Sequence, residues 1–108
     1  MIYSLEQIKV IVLPIAIKYN LKALWVFGSY ARGEATEESD VDILMDDPDF
    51  NIFTLLDLYQ LNDELENKFN KRVDLISTDA LFCLRMKYFD PKFVDIVNNE
   101  KVIVYNNL

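Results

Sequence analysis

Apolar positions along this chain recur in two periods, and the switches between them mark out the elements. Over Leu5 to Tyr19, Ile8, Ile11, Val12, Ile15 and Ala16 repeat at three- and four-residue intervals, a helical stripe, and Ser4 and Gln7 are placed to form a capping box. Pro14 lies inside that stripe. It removes the hydrogen bond to the Val10 carbonyl and costs about 3 kcal/mol in a regular helix, so a kink or break is expected there. The apolar run Ala23 to Phe27 stops at Gly28 and reads as a buried strand, and Val41 to Met45 reads as a second. A long helix is expected from Ile52 to Asn70, capped by Asp49 or Asn51, with Leu55, Leu58, Tyr59, Leu61, Leu65 and Phe69 on its inner side. Arg72 to Ser77 alternates as a third strand. Thr78-Asp79 is a capping pair for a helix carrying Leu81, Phe82, Leu84, Met86 and Phe89. Asp90-Pro91 opens a last helix with Phe93, Val94, Ile96 and Val97 on its apolar face and Asn98-Asn99 at its end, and Val102 to Tyr105 follows as a terminal strand. No repeat, linker or low-complexity tract interrupts the series. The expected fold is α/β (α+β), a small mixed sheet flanked by helices, in a single domain over residues 1–108.

Composition narrows the chemistry. With 108 residues, 52% hydrophobic and 13% aromatic, the chain has material for one real core. Its 18 acidic and 11 basic residues leave a net charge of −7, which opposes direct binding to nucleic acid and suits a basic protein partner. There is no histidine, so zinc hydrolysis through His ligands and Ser-His-Asp or Cys-His catalysis are excluded. The one cysteine, Cys83, cannot form an internal disulfide and reads as a buried inert thiol. No stretch approaches the roughly 18 apolar residues needed to span a bilayer, and no basic-then-apolar leader opens the chain; a cytoplasmic location is expected.

The stretch Gly28 to Asp42 carries the candidate chemistry. A strand that ends in Gly28-Ser29 and turns into a short helix offers freed backbone N–H groups, a hydroxyl and close approach, all suited to phosphate oxygens. Arg32 falls nearly on the same face as Ser29. It can reach a bound phosphate, or it can pair with Glu34, Glu37 or Glu38, and the sequence leaves both readings open. Tyr30 reads as packing and Gly33 as a left-handed helix end. Asp40 and Asp42, two residues apart at the second strand, have the spacing that puts both carboxylates on one face of a strand, and paired carboxylates beside apolar neighbours call for a cation, magnesium by their all-oxygen character. Asp74, in the third strand, could complete the cluster or pair with Arg72. The acids of Asp46-Asp47-Pro48-Asp49 read as solvated turn residues.

Gly28-Ser29, ten residues, Asp40-Val41-Asp42 and a lone aspartate in a later strand together resemble the polymerase-beta-like nucleotidyltransferases. The wording Phe27-Gly28-Ser29-Tyr30-Ala31-Arg32-Gly33 is similar to that of the minimal nucleotidyltransferases, the antitoxin partners of HEPN-type toxins, and the resemblance covers nearly the whole chain. It implies catalytic and metal-binding roles for Asp40, Asp42 and Asp74, nucleotide binding by Gly28, Ser29 and Arg32, and a site with two magnesium ions using ATP as substrate. It also implies transfer of AMP to a tyrosine of a HEPN-type ribonuclease toxin, in a homo- or hetero-oligomer. Two other functions are compatible with the residues: transfer to a small-molecule hydroxyl with a partner subunit, and a non-catalytic toxin-binding module.

Overall fold

The computed structural model describes residues 2–49, 51–52, 54–79 and 91–107. Its elements are α1 (Leu5–Lys18), β1 (Ala23–Phe27), α2 (Ser29–Arg32), β2 (Val41–Asp46), α3 (Leu55–Phe69), β3 (Val73–Ser77), α4 (Pro91–Glu100) and β4 (Val102–Asn106). The helix expected from the residues after Thr78-Asp79, with Cys83 in it, lies outside the described residues.

The capping box at the start of α1 forms as expected. The Ser4 hydroxyl accepts from Gln7 N–H at 3.1 Å, and Ser4 N–H donates to Gln7 Oε1 at 2.8 Å. Of the kink or break expected at Pro14, the break does not occur: α1 is continuous from Leu5 to Lys18. Pro14 lies on the exposed side, and the Val10 carbonyl that its ring leaves unbonded belongs to a residue 73% exposed, while Ile8, Val12, Ile15 and Ala16 hold the opposite side in the core. Packing on one face therefore offsets the missing hydrogen bond on the other.

Strand order is β3-β2-β1-β4. β1 runs antiparallel to both β2 and β4, whereas β2 and β3 are parallel and joined through α3, the crossover that a parallel pair requires. Alternation along the strands divides the apolar residues between two faces. Leu24, Val26, Val41, Ile43, Met45 and Val73 face the main core with α1 and α3, represented by Val12, Ile15, Leu61 and Leu65. Trp25, Phe27, Leu44 and Ile76 face the other way and pack with Val94 and Val97 of α4. Among the described residues no helix is long and apolar enough to cross a membrane.

Two expectations around α3 need correction. The helix begins at Leu55, not Ile52, and its cap is Thr54, which forms a capping box with Asp57, not Asp49 or Asn51. The reason is Asp47, which is only 9% exposed rather than solvated: its carboxylate accepts Asn51 N–H at 3.0 Å and Ile52 N–H at 2.7 Å and holds that stretch in a turn. Leu55 and Tyr59, expected inside, are exposed, and Leu61, Leu65 and Phe69 carry the buried line. Asp47→Ala should strand both backbone donors and cost about 2 kcal/mol, read as a lower urea midpoint with an unchanged slope. A loss below a few tenths of a kcal/mol would show that water replaces the carboxylate there.

Candidate active site

Strand register brings the candidate residues to one end of the sheet. Phe27, the last residue of β1, pairs with Asp42 near the start of β2, and Asp42 pairs in turn with Asp74 near the start of β3. Paired residues on adjacent strands point to the same face, so Asp42 and Asp74 stand side by side with Phe27, on the α4 side of the sheet and away from the main core. Asp40 immediately precedes β2 rather than lying in it, which begins at Val41, where the N–H donates to the Arg72 carbonyl at 2.9 Å. Asp40 and Asp74 are exposed and Asp42 is half-buried. Among the described residues no ion pair joins Arg72 to Asp74, the structural alternative for that acid.

Gly28 explains how a carboxylate fits beside the turn. Its φ of +71° and ψ of −148° are open to glycine and strained for other residues. A Cβ there would stand 2.2 Å from Asp42 Oδ2 and 3.2 Å from its Cγ, so the missing side chain is the space that the Asp42 carboxylate occupies. Ser29 then opens α2, whose single turn closes with Arg32 N–H donating to the Gly28 carbonyl at 3.1 Å. Gly33 ends α2 in the left-handed region, as expected, and Tyr30 is buried packing.

Electrostatically the site is under-neutralised. Burial, then the neighbouring charges of Asp74 and Asp40, push the Asp42 carboxyl up to about 6; Arg32 opposes the rise and Glu100 adds to it. A half-buried carboxylate, aligned with one acid and near another, is a donor set that a hard divalent cation would relieve, and the residues present fit magnesium on that ground. Among the described residues no three acidic side chains stand close enough together to hold a metal ion, so that fit rests on Asp42 and its in-register neighbour Asp74.

Arg32 pairs with Glu34, one of the acids expected near it, and with one partner that the sequence does not suggest. Its Nε donates to Glu34 Oε2 at 3.2 Å, and its Nη1 donates to both oxygens of Glu100, at 3.2 and 3.1 Å. Glu100 Oε1 also accepts Gly28 N–H at 2.9 Å. Sixty-eight positions separate Glu100 from Arg32, so no local pattern connects them. The one local hint is an acid at the C-terminal end of a helix, where the helix dipole disfavours it.

A mixed sheet with a Gly-Ser turn and acids gathered at one end has the construction of a nucleotidyltransferase. Residues 5–104 match the family model described as nucleotidyltransferase domain. A Methanocaldococcus jannaschii relative, provisionally named a protein adenylyltransferase, is 36% identical over 101 residues, spanning 94% of this chain and 98% of the relative. A crystal structure of a toxin-antitoxin with AMP-PNP matches with a TM-score of 0.68 at 19% identity, over 92% of this chain and 73% of that one. A structure described as a tri-AMPylated Shewanella oneidensis HEPN toxin in complex with MNT antitoxin matches at 0.62 and 14% identity, over 92% and 70% of the two chains. The chain belongs to the nucleotidyltransferase domain family, which bears out the resemblance carried by Gly28-Ser29 and Asp40-Val41-Asp42 at the level of family and fold.

Proposed function

We propose that this protein is a magnesium-dependent adenylyltransferase that moves AMP from ATP to a tyrosine hydroxyl of a HEPN-type toxin, and so acts as its antitoxin. The observation that carries the proposal is the Asp42 carboxylate packed against Gly28, with Asp74 beside it in register on the neighbouring strand. Family membership supplies the reaction class. The protein adenylyltransferase name of the M. jannaschii relative, together with the toxin-antitoxin setting of the structural neighbours, supports the acceptor.

Each residue then has a physical task. Ser29 and the amides of its turn bind the outer phosphates, and Arg32 adds a guanidinium to them. Asp42, with Asp40 and Asp74, would hold magnesium, which supplies charge neutralisation for the triphosphate and the departing pyrophosphate. Asp74 takes the proton of the incoming hydroxyl. Its exposure on the edge strand β3 suits a hydroxyl that arrives on the surface of another polypeptide. The reaction breaks the bond between the α-phosphorus and its bridging oxygen, forms a tyrosyl phosphodiester and releases pyrophosphate.

The test is intact-mass spectrometry of the protein encoded beside this one, or of a HEPN-type toxin supplied as acceptor, after incubation with this chain, ATP and magnesium. Added mass equal to one or more adenylyl groups, mapped to tyrosine and lost with Asp42→Asn, is the expected result. A stable complex with no added mass would replace the proposal with neutralisation by binding alone.

A further inference from the structure

Glu100 occupies donors that the nucleotide reading assigns to phosphate. Its carboxylate takes the Gly28 N–H and Arg32 Nη1, the two groups placed to receive an incoming anion at the strand end. A phosphate oxygen and a carboxylate oxygen make the same demand on an amide N–H and a guanidinium. Two features around Glu100 oppose its charge: it stands at the C-terminal end of α4, facing that helix's negative pole, and lies within electrostatic reach of Asp42. Arg32 and the Gly28 amide hydrogen-bond it against both, and at 18% exposure its side chain has a path to water once they let go.

We infer that Glu100 is the resident counter-anion of the nucleotide site, a positioning residue that holds Arg32 and the Gly28 turn while no nucleotide is bound and is exchanged for a phosphate oxygen when one binds. The inference rests on the nucleotidyltransferase reading and adds to it a residue that sets nucleotide affinity. Two consequences follow from the exchange. Removing the charge lowers the barrier to filling the site, so affinity rises. Chemistry after binding is unaffected, because Glu100 has by then left Arg32.

Titration calorimetry with magnesium and AMP-PNP on the full chain tests this, using wild type, Glu100→Gln and Glu100→Asp. Gln keeps an acceptor for Gly28 N–H but no charge for Arg32, and Asp keeps the charge but falls short by a methylene. Glu100→Gln should bind roughly three- to ten-fold more tightly at low salt, with the gain shrinking as salt is added, and Glu100→Asp should show a smaller gain of the same sign. In transfer assays KM for ATP should fall while kcat stays within about two-fold. Folded variants, verified by thermal melting, that bind no more tightly than wild type would overturn the inference. If Glu100→Gln does not fold, Glu100→Asp and a crystal structure of wild type with AMP-PNP decide it: a Glu100–Arg32 pair intact beside bound nucleotide overturns the exchange. Wild type that binds no AMP-PNP at all would instead remove the nucleotide reading itself.

Discussion

Asp42→Asn should lower nucleotidyl transfer by about three orders of magnitude and yet make the nucleotide-free protein more stable at neutral pH. The loss of activity follows from replacing the most buried of the three acids with a neutral group of the same shape, one that cannot bind a hard cation as a carboxylate does. The gain in stability follows from the same charge. Asp42 titrates near 6 in the folded protein against an ordinary value of 3.8, so the folded state holds that proton more tightly than the unfolded chain does. As pH rises from about 4 to about 6 the unfolded state loses its proton first and stability falls; above that window the full penalty is present. A shift of this size corresponds to about 3 kcal/mol at most, and to about 1–2 kcal/mol after allowing for solvent around a half-exposed carboxylate. In a domain this size that raises the melting temperature by about 5 °C or more. Other carboxylates titrate in the same range, so the informative quantity is the gap between variant and wild type, wide at pH 7.5 and narrowed to about a third of that at pH 4.5. Magnesium should raise the melting temperature of wild type and not of Asp42→Asn. A variant less stable than wild type at pH 7.5 would contradict the like-charge account of the site.

Gly28→Ala should be the most damaging single methyl in the described structure, costing about 2–4 kcal/mol and most of the activity. Two effects combine in it. The backbone lies where an L side chain is strained, and the new Cβ meets Asp42 Oδ2 at 2.2 Å, with β1 and β2 locked in register on either side of the clash. Gly33→Ala separates the two, because Gly33 has nearly the same φ, +73°, but open space where its Cβ would point. It should cost about 1 kcal/mol, the backbone contribution alone. Urea unfolding of both variants, and of Gly28→Ala combined with Asp42→Ala, measures the difference. Removing the Asp42 carboxylate should recover much of the Gly28→Ala loss as a favourable coupling energy. Equal costs at the two glycines, or no recovery in the double variant, would mean that the carboxylate does not rest against Gly28.

The Asp47 turn and the unbroken α1 show where local rules meet their limit. A proline inside a helical stripe argues for a break, and a cluster of acids beside a proline argues for solvent. At Pro14 the outcome was decided by which face of the helix was buried, and at Asp47 by hydrogen bonds from backbone four and five residues further on. Pro14 is tolerated because its side of α1 faces outward, and Asp47 is buried because the backbone of residues 51 and 52 folds over its carboxylate. The same holds for α3. Its apolar positions are compatible with more than one rotation about the helix axis, and the choice of Leu61, Leu65 and Phe69 as the buried line is made by the sheet and α1.

From the sequence alone come the features whose causes are local: the Ser4 capping box, the strand at Ala23 to Phe27, the Gly-Ser turn, the left-handed Gly33 and the spacing of Asp40 and Asp42. Each is set by hydrogen bonds or backbone preferences within a few residues, so a pattern in the chain is enough to find it. Tertiary structure alone decided that Asp74 stands in register beside Asp42, that the space left by Gly28 is filled by the Asp42 carboxylate, and that Glu100 closes on Arg32 and the Gly28 amide. Strand register and the packing of α4 determine these contacts. They depend on how whole faces fit together rather than on any short run of residues.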